Sequence, residues 1–206
     1  METISKYYKA MLDTLAYTEG TLGMSQNGYD LLFGSYTING WDNNIEFGHQ
    51  GDKWLVKAGT YSTTAAGRYQ FLAGTWLEKS KKEADTLGLK KLEKPIIFKG
   101  DEYYYNAPFT SKNQDYFGYK LIKSKVSESE LIKAEKSAND FSLMIQNNKL
   151  DCTWTSLARA LSSTAKPCFG QAKPGSVKHK EICQPNGCSS GAEEIWSIYK
   201  KALSSY

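Results

Sequence analysis

Leu15-Ala16-Tyr17-Thr18-Glu19-Gly20-Thr21 closes the first helical stretch of the chain, and its reading decides the fold. Upstream of it, Tyr8, Met11, Leu12, Leu15, Ala16 and Glu19 recur at the three-and-four spacing of one helix face. That face is apolar until its last member, which is a carboxylic acid. Gly20 reads as the C′ residue that stops the helix. Burial disfavours the ionised form of a carboxyl, and the negative end of the helix dipole pushes the same way. An acid so placed suits proton donation to a leaving group near neutral pH. The plainer reading is a solvated or hydrogen-bonded glutamate at a helix end.

Around this helix, read over 5–19, the pattern changes. Residues 22–61 carry turn signals at Asn27-Gly28, Asn39-Gly40 and Gln50-Gly51-Asp52, which predict short antiparallel strands near 29–33, 36–38, 45–48 and 53–56. Residues 62–71 read as a loop leading into a helix over 74–88, ended by Gly88. Residues 89–109 are lysine-rich and then aromatic, an exposed excursion rather than a domain boundary. Ser111 to Gln114 and Ser127 to Glu130 are capping-box patterns, opening helices to about Lys123 and about Asn147. Residues 151–163 put Trp154, Leu157, Ala158 and Leu161 on one helix face. Residues 164–190 form a long loop with Pro167, Pro174 and Pro185. A third box, Ser190 to Glu193, opens a final helix packed by Ile195, Trp196, Ile198, Tyr199 and Leu203. The expectation is a single α+β domain over 1–206, mostly helical, with a small antiparallel sheet near the N-terminus. Two lobes would enclose a cleft with the end of the first helix at its floor.

Composition sets bounds on function. At 206 residues and 40% hydrophobic, the chain can bury a core of its own. Its 14 tyrosines and five tryptophans suit core packing, and also stacking on sugar faces. A net charge of +4, with no Lys/Arg stripe, argues against nucleic acid as partner. A mild positive balance would help capture an anionic wall polymer, or it is drift among surface lysines. Met1 to Lys9 lacks a signal-peptide pattern, and no segment is long and apolar enough to insert in a membrane. A protein made in the cytoplasm and released by a non-standard route is expected. His49 and His179 are isolated and no Ser/His/Asp or Cys/His motif occurs, so neither metal nor cofactor is expected.

Four cysteines, Cys152, Cys168, Cys183 and Cys188, allow three pairings. Pro185-Asn186-Gly187 places a turn between Cys183 and Cys188, good geometry for a local disulfide. Cys152 with Cys168 would then be the second bridge. Zinc is the alternative, without a repeated CxxC to support it.

Leu12 to Thr21 resembles the catalytic helix end of the lambda-type phage endolysins. Asn27-Gly28-Tyr29-Asp30 resembles their next motif, and Thr64-Ala65-Ala66-Gly67-Arg68-Tyr69-Gln70 their glycine-arginine-tyrosine-glutamine loop. Phe109 to Asp115, Leu143-Met144-Ile145, Trp154-Thr155-Ser156-Leu157, Gly170-Gln171 and the closing helix continue in the same order. Two stretches depart from that pattern, the excursion at 90–108 and the cysteine-containing loop at 163–190.

The resemblance implies a lysozyme-like fold and a lytic transglycosylase that cuts the MurNAc–GlcNAc bond of peptidoglycan, leaving a 1,6-anhydromuramyl end. It implies Glu19 as acid and then base. Tyr29, Asp30, Thr63, Thr64, Tyr69, Gln70, Phe169 and Gln171 are the candidate substrate contacts. Asp30 is also the rival partner, as base for a water, or it merely orders the Gly28–Tyr29 turn or pairs with Arg68. The alternatives are a hydrolytic muramidase on the same fold and a non-catalytic wall-binding protein. As a phage endolysin or a secreted antibacterial effector, the protein would act in the periplasm or on the cell wall. It would be a monomer whose partner is the glycan strand, joined for an effector by an immunity or inhibitor protein.

Overall fold

The computed structural model describes residues 2–32, 36–38, 56–58, 61–154, 156–157, 183–184, 187–188 and 191–206. Its helices are α1 (Lys6–Thr18), α2 (Ala73–Lys82), α3 (Ala84–Leu87), α4 (Ser111–Lys123), α5 (Glu128–Ala134), α6 (Ala138–Asn147), α7 (Leu150–Thr153) and α8 (Ala192–Leu203). Its strands are β1 (Leu31–Leu32), β2 (Tyr36–Thr37), β3 (Val56–Ala58), β4 (Tyr61–Thr63), β5 (Ile96–Phe98), β6 (Asp101–Tyr103), β7 (Cys183–Gln184) and β8 (Gly187–Cys188). The strands pair antiparallel as consecutive couples, β1 with β2 through β7 with β8. Contacts gather the chain into two compact units, one of Met1–Thr3 and Thr21–Gly118, the other of Ile4–Gly20 and Tyr119–Tyr206.

The second unit is built on α1. Its periodic residues Tyr8, Met11, Leu12, Leu15 and Ala16 are all buried, as the spacing predicts. α1 packs on α8, and α6 packs on both α5 and α8. Tyr8 lies edge-on to Tyr119 at 5.0 Å and its hydroxyl donates to Val126 O at 2.9 Å. Tyr199 sits 4.9 Å from Phe141 and donates to Leu131 O at 3.2 Å. Buried tyrosines thus carry ring packing and a satisfied polar end together.

The first unit centres on Trp76 of α2, fully buried among Phe71, Phe109 and Phe117 at 5.4, 4.5 and 4.6 Å. Its indole N–H donates to Ala107 O at 3.0 Å. Ser80, one turn along α2, accepts from Ala107 N at 2.9 Å. The chain at Ala107 is therefore pinned by two side chains of one helix.

Several boundaries differ from the sequence reading. The helix expected over 74–88 breaks at Glu83, whose φ of −106° and ψ of 13° leave the helical region. Its carboxylate accepts from the Tyr116 hydroxyl at 2.8 Å, a long-range pairing with no local signature. The helix expected from Ser127 to Asn147 is two helices. Ser127 forms its capping box with Glu130, but Ser137 then caps a second start by accepting from Asp140 N. At α4 the Thr110 hydroxyl accepts from Asn113 N at 3.1 Å, a cap one residue before the expected Ser111 box. Final helix α8 starts after Gly191, with φ of 92°; Ser190 lies outside the described residues.

Among the strands, 31–32 and 36–37 fall within the expected segments, and 45–48 lies outside the described residues. Tyr61–Thr63 pairs with Val56–Ala58, although 62–63 fell in the loop expected over 62–71. The excursion after Leu89 contains the hairpin β5–β6. Its turn is Lys99-Gly100, both at positive φ, the geometry of a tight hairpin turn that a Gly second residue favours.

Candidate functional site

Glu19 is the C-cap of α1. Its N–H donates to Leu15 O at 2.9 Å, and Gly20 follows at φ 76° in the left-handed region that glycine adopts without a Cβ penalty. The helix thus stops where the sequence predicts, and the carboxyl is half-buried. Its Oε1 accepts a hydrogen bond of 2.6 Å from the hydroxyl of Ser156. Ser156 is itself buried and lies 3.3 Å from the Thr18 hydroxyl, which donates to Leu15 O at 3.0 Å. Thr18, Glu19 and Ser156 all belong to the second unit.

A second cluster lies in the first unit, around the loop 66–71. Ala66 and Phe71 bridge across it, with their N–H groups donating to each other's carbonyls at 3.0 and 2.7 Å. The buried side chain of Gln114 holds the loop, accepting from Arg68 N at 2.9 Å and donating to Tyr29 O at 3.0 Å. Asp115, the next residue of α4, accepts at one oxygen from the hydroxyls of Tyr29 at 2.8 Å and Tyr69 at 2.6 Å. The Arg68 guanidinium lies over both rings, 5.2 and 6.0 Å from their centroids, and donates to Asn27 O at 2.6 Å. Burial first, and the Asp115 charge second, push both tyrosines well above the usual phenol range, against the pull of Arg68. Both phenols therefore stay protonated and donate.

The remaining candidates are placed as follows. Tyr69 is 2% exposed with its hydroxyl committed to Asp115, so it supports the loop and offers no ring face to a sugar. That corrects its reading as a cleft-lining residue. Gln70 is half-buried at φ 49°, with its amide donating to Gly67 O at 3.0 Å. Asp30 is buried; Oδ2 accepts from Ser25 at 2.8 Å, within its own turn, while Oδ1 accepts no hydrogen bond. Its partner is Ser25 rather than Arg68. The Thr64 hydroxyl accepts from Ala73 N at 3.0 Å and so anchors the start of α2. Thr63 is in β4. Trp154 is buried, but it is extended at φ −123° and ψ 102° and ends α7, so the helix expected over 151–163 is broken there. Phe169, Gln171 and Cys168 lie outside the described residues. Among the described residues, no cluster of His, Cys, Asp and Glu could hold a metal, and no helix is long and apolar enough to cross a membrane.

Sequence reasoning did not single out Ser156, Gln114 or Asp115. Each lay inside a quoted motif, but their partners are 137, 46 and 86 residues away for Glu19, Arg68 and Tyr29 respectively. No periodic signal spans such separations.

Residues 9–93 match the endolysin family model. No curated protein sequence matches the chain. Two solved structures of lysozyme from bacteriophage lambda share its fold, each aligned over 98% of this chain and 97% of theirs at 21% identity, with TM-scores of 0.55 and 0.54. The first of them is complexed with a chitohexasaccharide. The matched segment holds Glu19, Tyr29, Asp30, Thr63, Thr64, Tyr69 and Gln70. Ser156, Gln114 and Asp115 come from chain beyond it.

Proposed function

We propose that this chain is an endolysin-type enzyme that degrades peptidoglycan, a lytic transglycosylase in which one carboxyl serves as acid and then as base. Glu19 gives its proton to the glycosidic oxygen as the bond to the MurNAc anomeric carbon breaks. The resulting carboxylate takes the proton from the muramyl 6-hydroxyl, whose oxygen bonds to that carbon. The product is a 1,6-anhydromuramyl end, no water is consumed, and Glu19 is returned to its acid form. The supporting observation is the placement of Glu19. It ends an apolar helix face, is half withdrawn from water, and has one oxygen fixed by a buried hydroxyl.

Two measurements test this. Glu19→Gln keeps the shape and removes the titrating group, so lysis of wall suspensions should fall by about a hundredfold or more. Mass spectrometry of digested wall should show anhydro ends. Products heavier by one water would replace transglycosylation with hydrolysis. That second reading would use Asp30 as base, since its buried Oδ1 has no hydrogen-bond partner. No lysis by the wild-type protein would leave a wall-binding role.

The substrate in this reading is the β-linked amino-sugar strand of the wall. The lambda lysozyme complex, with its chitohexasaccharide, is consistent with that class. Tyr29 and Gln70 are the contacts carried forward from the first unit, with Thr63, Phe169 and Gln171 as further ones. The setting is release at phage lysis or delivery as an antibacterial effector. A neighbouring holin gene would mark the first, and a gene for an immunity protein the second.

A further inference from the structure

We infer that Ser156 and Thr18 are positioning residues for Glu19, holding its Oε1 so that the carboxyl is oriented for proton transfer. The inference rests on the acid–base reading of Glu19 and extends it to two residues outside that reading. The distances define a chain of hydrogen bonds. Ser156 Oγ donates to Glu19 Oε1 at 2.6 Å, Thr18 Oγ1 lies 3.3 Å from Ser156 Oγ, and Thr18 donates to Leu15 O at 3.0 Å.

Proton counting gives this chain a direction. Each hydroxyl has one hydrogen and two acceptor sites. Thr18 spends its hydrogen on Leu15 O, a backbone carbonyl of the last turn of α1, so towards Ser156 it is an acceptor. Ser156 has a single hydrogen and two acceptors in reach, Glu19 Oε1 and Thr18 Oγ1. The shorter contact, at a length typical of a hydroxyl donating to a charged oxygen, takes it. Were a proton to settle on Oε1, Ser156 would swing its hydrogen to Thr18 and accept from Glu19. The two hydroxyls therefore leave Oε1 satisfied in either state of the acid without moving a heavy atom. Thr18 and Ser156 are both buried, at 4% and 6% exposure, so neither turns to water instead. A group held this way reacts from one rotamer, and that orientation acts on the chemical step rather than on sugar binding.

The test is a set of variants assayed on soluble glycan strands. Ser156→Ala should lower kcat about tenfold to a hundredfold with KM unchanged, the loss expected for one hydrogen bond to a charged group. Ser156→Thr, which restores the hydroxyl, should recover most of it. Thr18→Val, close in shape without the hydroxyl, should give a smaller loss in kcat. In a Glu19→Gln background, Ser156→Ala should add nothing, because it acts through Glu19. Melting curves of each variant separate loss of fold from loss of chemistry, and the Ser156→Thr comparison stands even if the alanine variant unfolds. If Ser156→Ala keeps the wild-type kcat, or if its loss persists in the Glu19→Gln background, the inference is overturned. If Glu19→Gln itself lyses walls like wild type, the acid–base reading has failed, a different result from failure of the positioning chain alone.

Discussion

Gly67 is the residue at which the 66–71 loop has no room for a side chain. Its φ is +74°, and a Cβ there would come within 2.2 Å of Gln114 Oε1 and 2.7 Å of Phe109 Cζ. Gln114 cannot give way cheaply, because it is tied to Arg68 N and to the carbonyls of Tyr29 and Phe109. Gly67→Ala combines backbone strain with a displaced hydrogen-bond hub and should cost about 1–3 kcal/mol. The urea midpoint should fall at unchanged slope; an unmoved midpoint would show that the loop is not held by Gln114. At the same hub, Asp115→Asn removes a charge that raises both Tyr29 and Tyr69. Alkaline difference spectra should then show tyrosines ionising at lower pH than in the wild type, while burial still keeps them above the free phenol. No change would mean that Asp115 does not bind the two hydroxyls.

At the scale of elements, α1 and α8 are joined by the Tyr17 hydroxyl, which donates to Glu194 Oε1 at 2.5 Å. Burial, and then the hydrogen bond and charge of Glu194, push the Tyr17 phenol up to about 12 from 10.0. The folded state holds this proton more tightly than the unfolded chain does. The contribution is therefore complete below the unfolded value of 10.0 and is lost as pH rises through about 12. Melting temperature should decline over that window, and Tyr17→Phe should show a shallower decline; parallel curves would refute the pairing. In β7–β8, Cys183 and Cys188 are register partners across the antiparallel ladder. Antiparallel partners have Cα atoms about 4.5 or about 5.5 Å apart, both within the range that a disulfide spans. Peptide mapping without reductant should recover these two cysteines as one bridge, and a bridge from Cys183 to Cys152 would reject it.

These elements were legible to different degrees, for physical reasons. α1 was readable because its apolar period, its acidic last member and its Gly20 stop are all local. The breaks at Glu83 and before α6 were not. One depends on Tyr116, 33 residues away. The other depends on a cap at Ser137 that competes with continuing the helix. The Lys99-Gly100 hairpin was obscured by lysine-rich flanks that lack strand alternation.

At the scale of the molecule, neither compact unit is a continuous stretch of chain. The first is interrupted after Thr3, the second after Gly20, and α4 runs through the boundary at Gly118. Shared helix and interleaved chain favour one cooperative unfolding event. Calorimetry should give a single transition whose measured enthalpy matches the van't Hoff value, and two resolved transitions would divide the chain into separate domains.

Periodicity, caps and turn residues act over a few positions, and they were enough to specify α1, the start of α5 and the mostly helical α+β class. They also carried the resemblance to the endolysins, whose family model matches residues 9–93. Tertiary structure alone decided which hydroxyl reaches Glu19, which side chains hold Gly67, and that Tyr69 is buried support for its loop. Those pairings close loops of dozens to more than a hundred residues. Their specificity comes from burial and exact donor–acceptor matching at the end of folding, which no local stretch of sequence encodes.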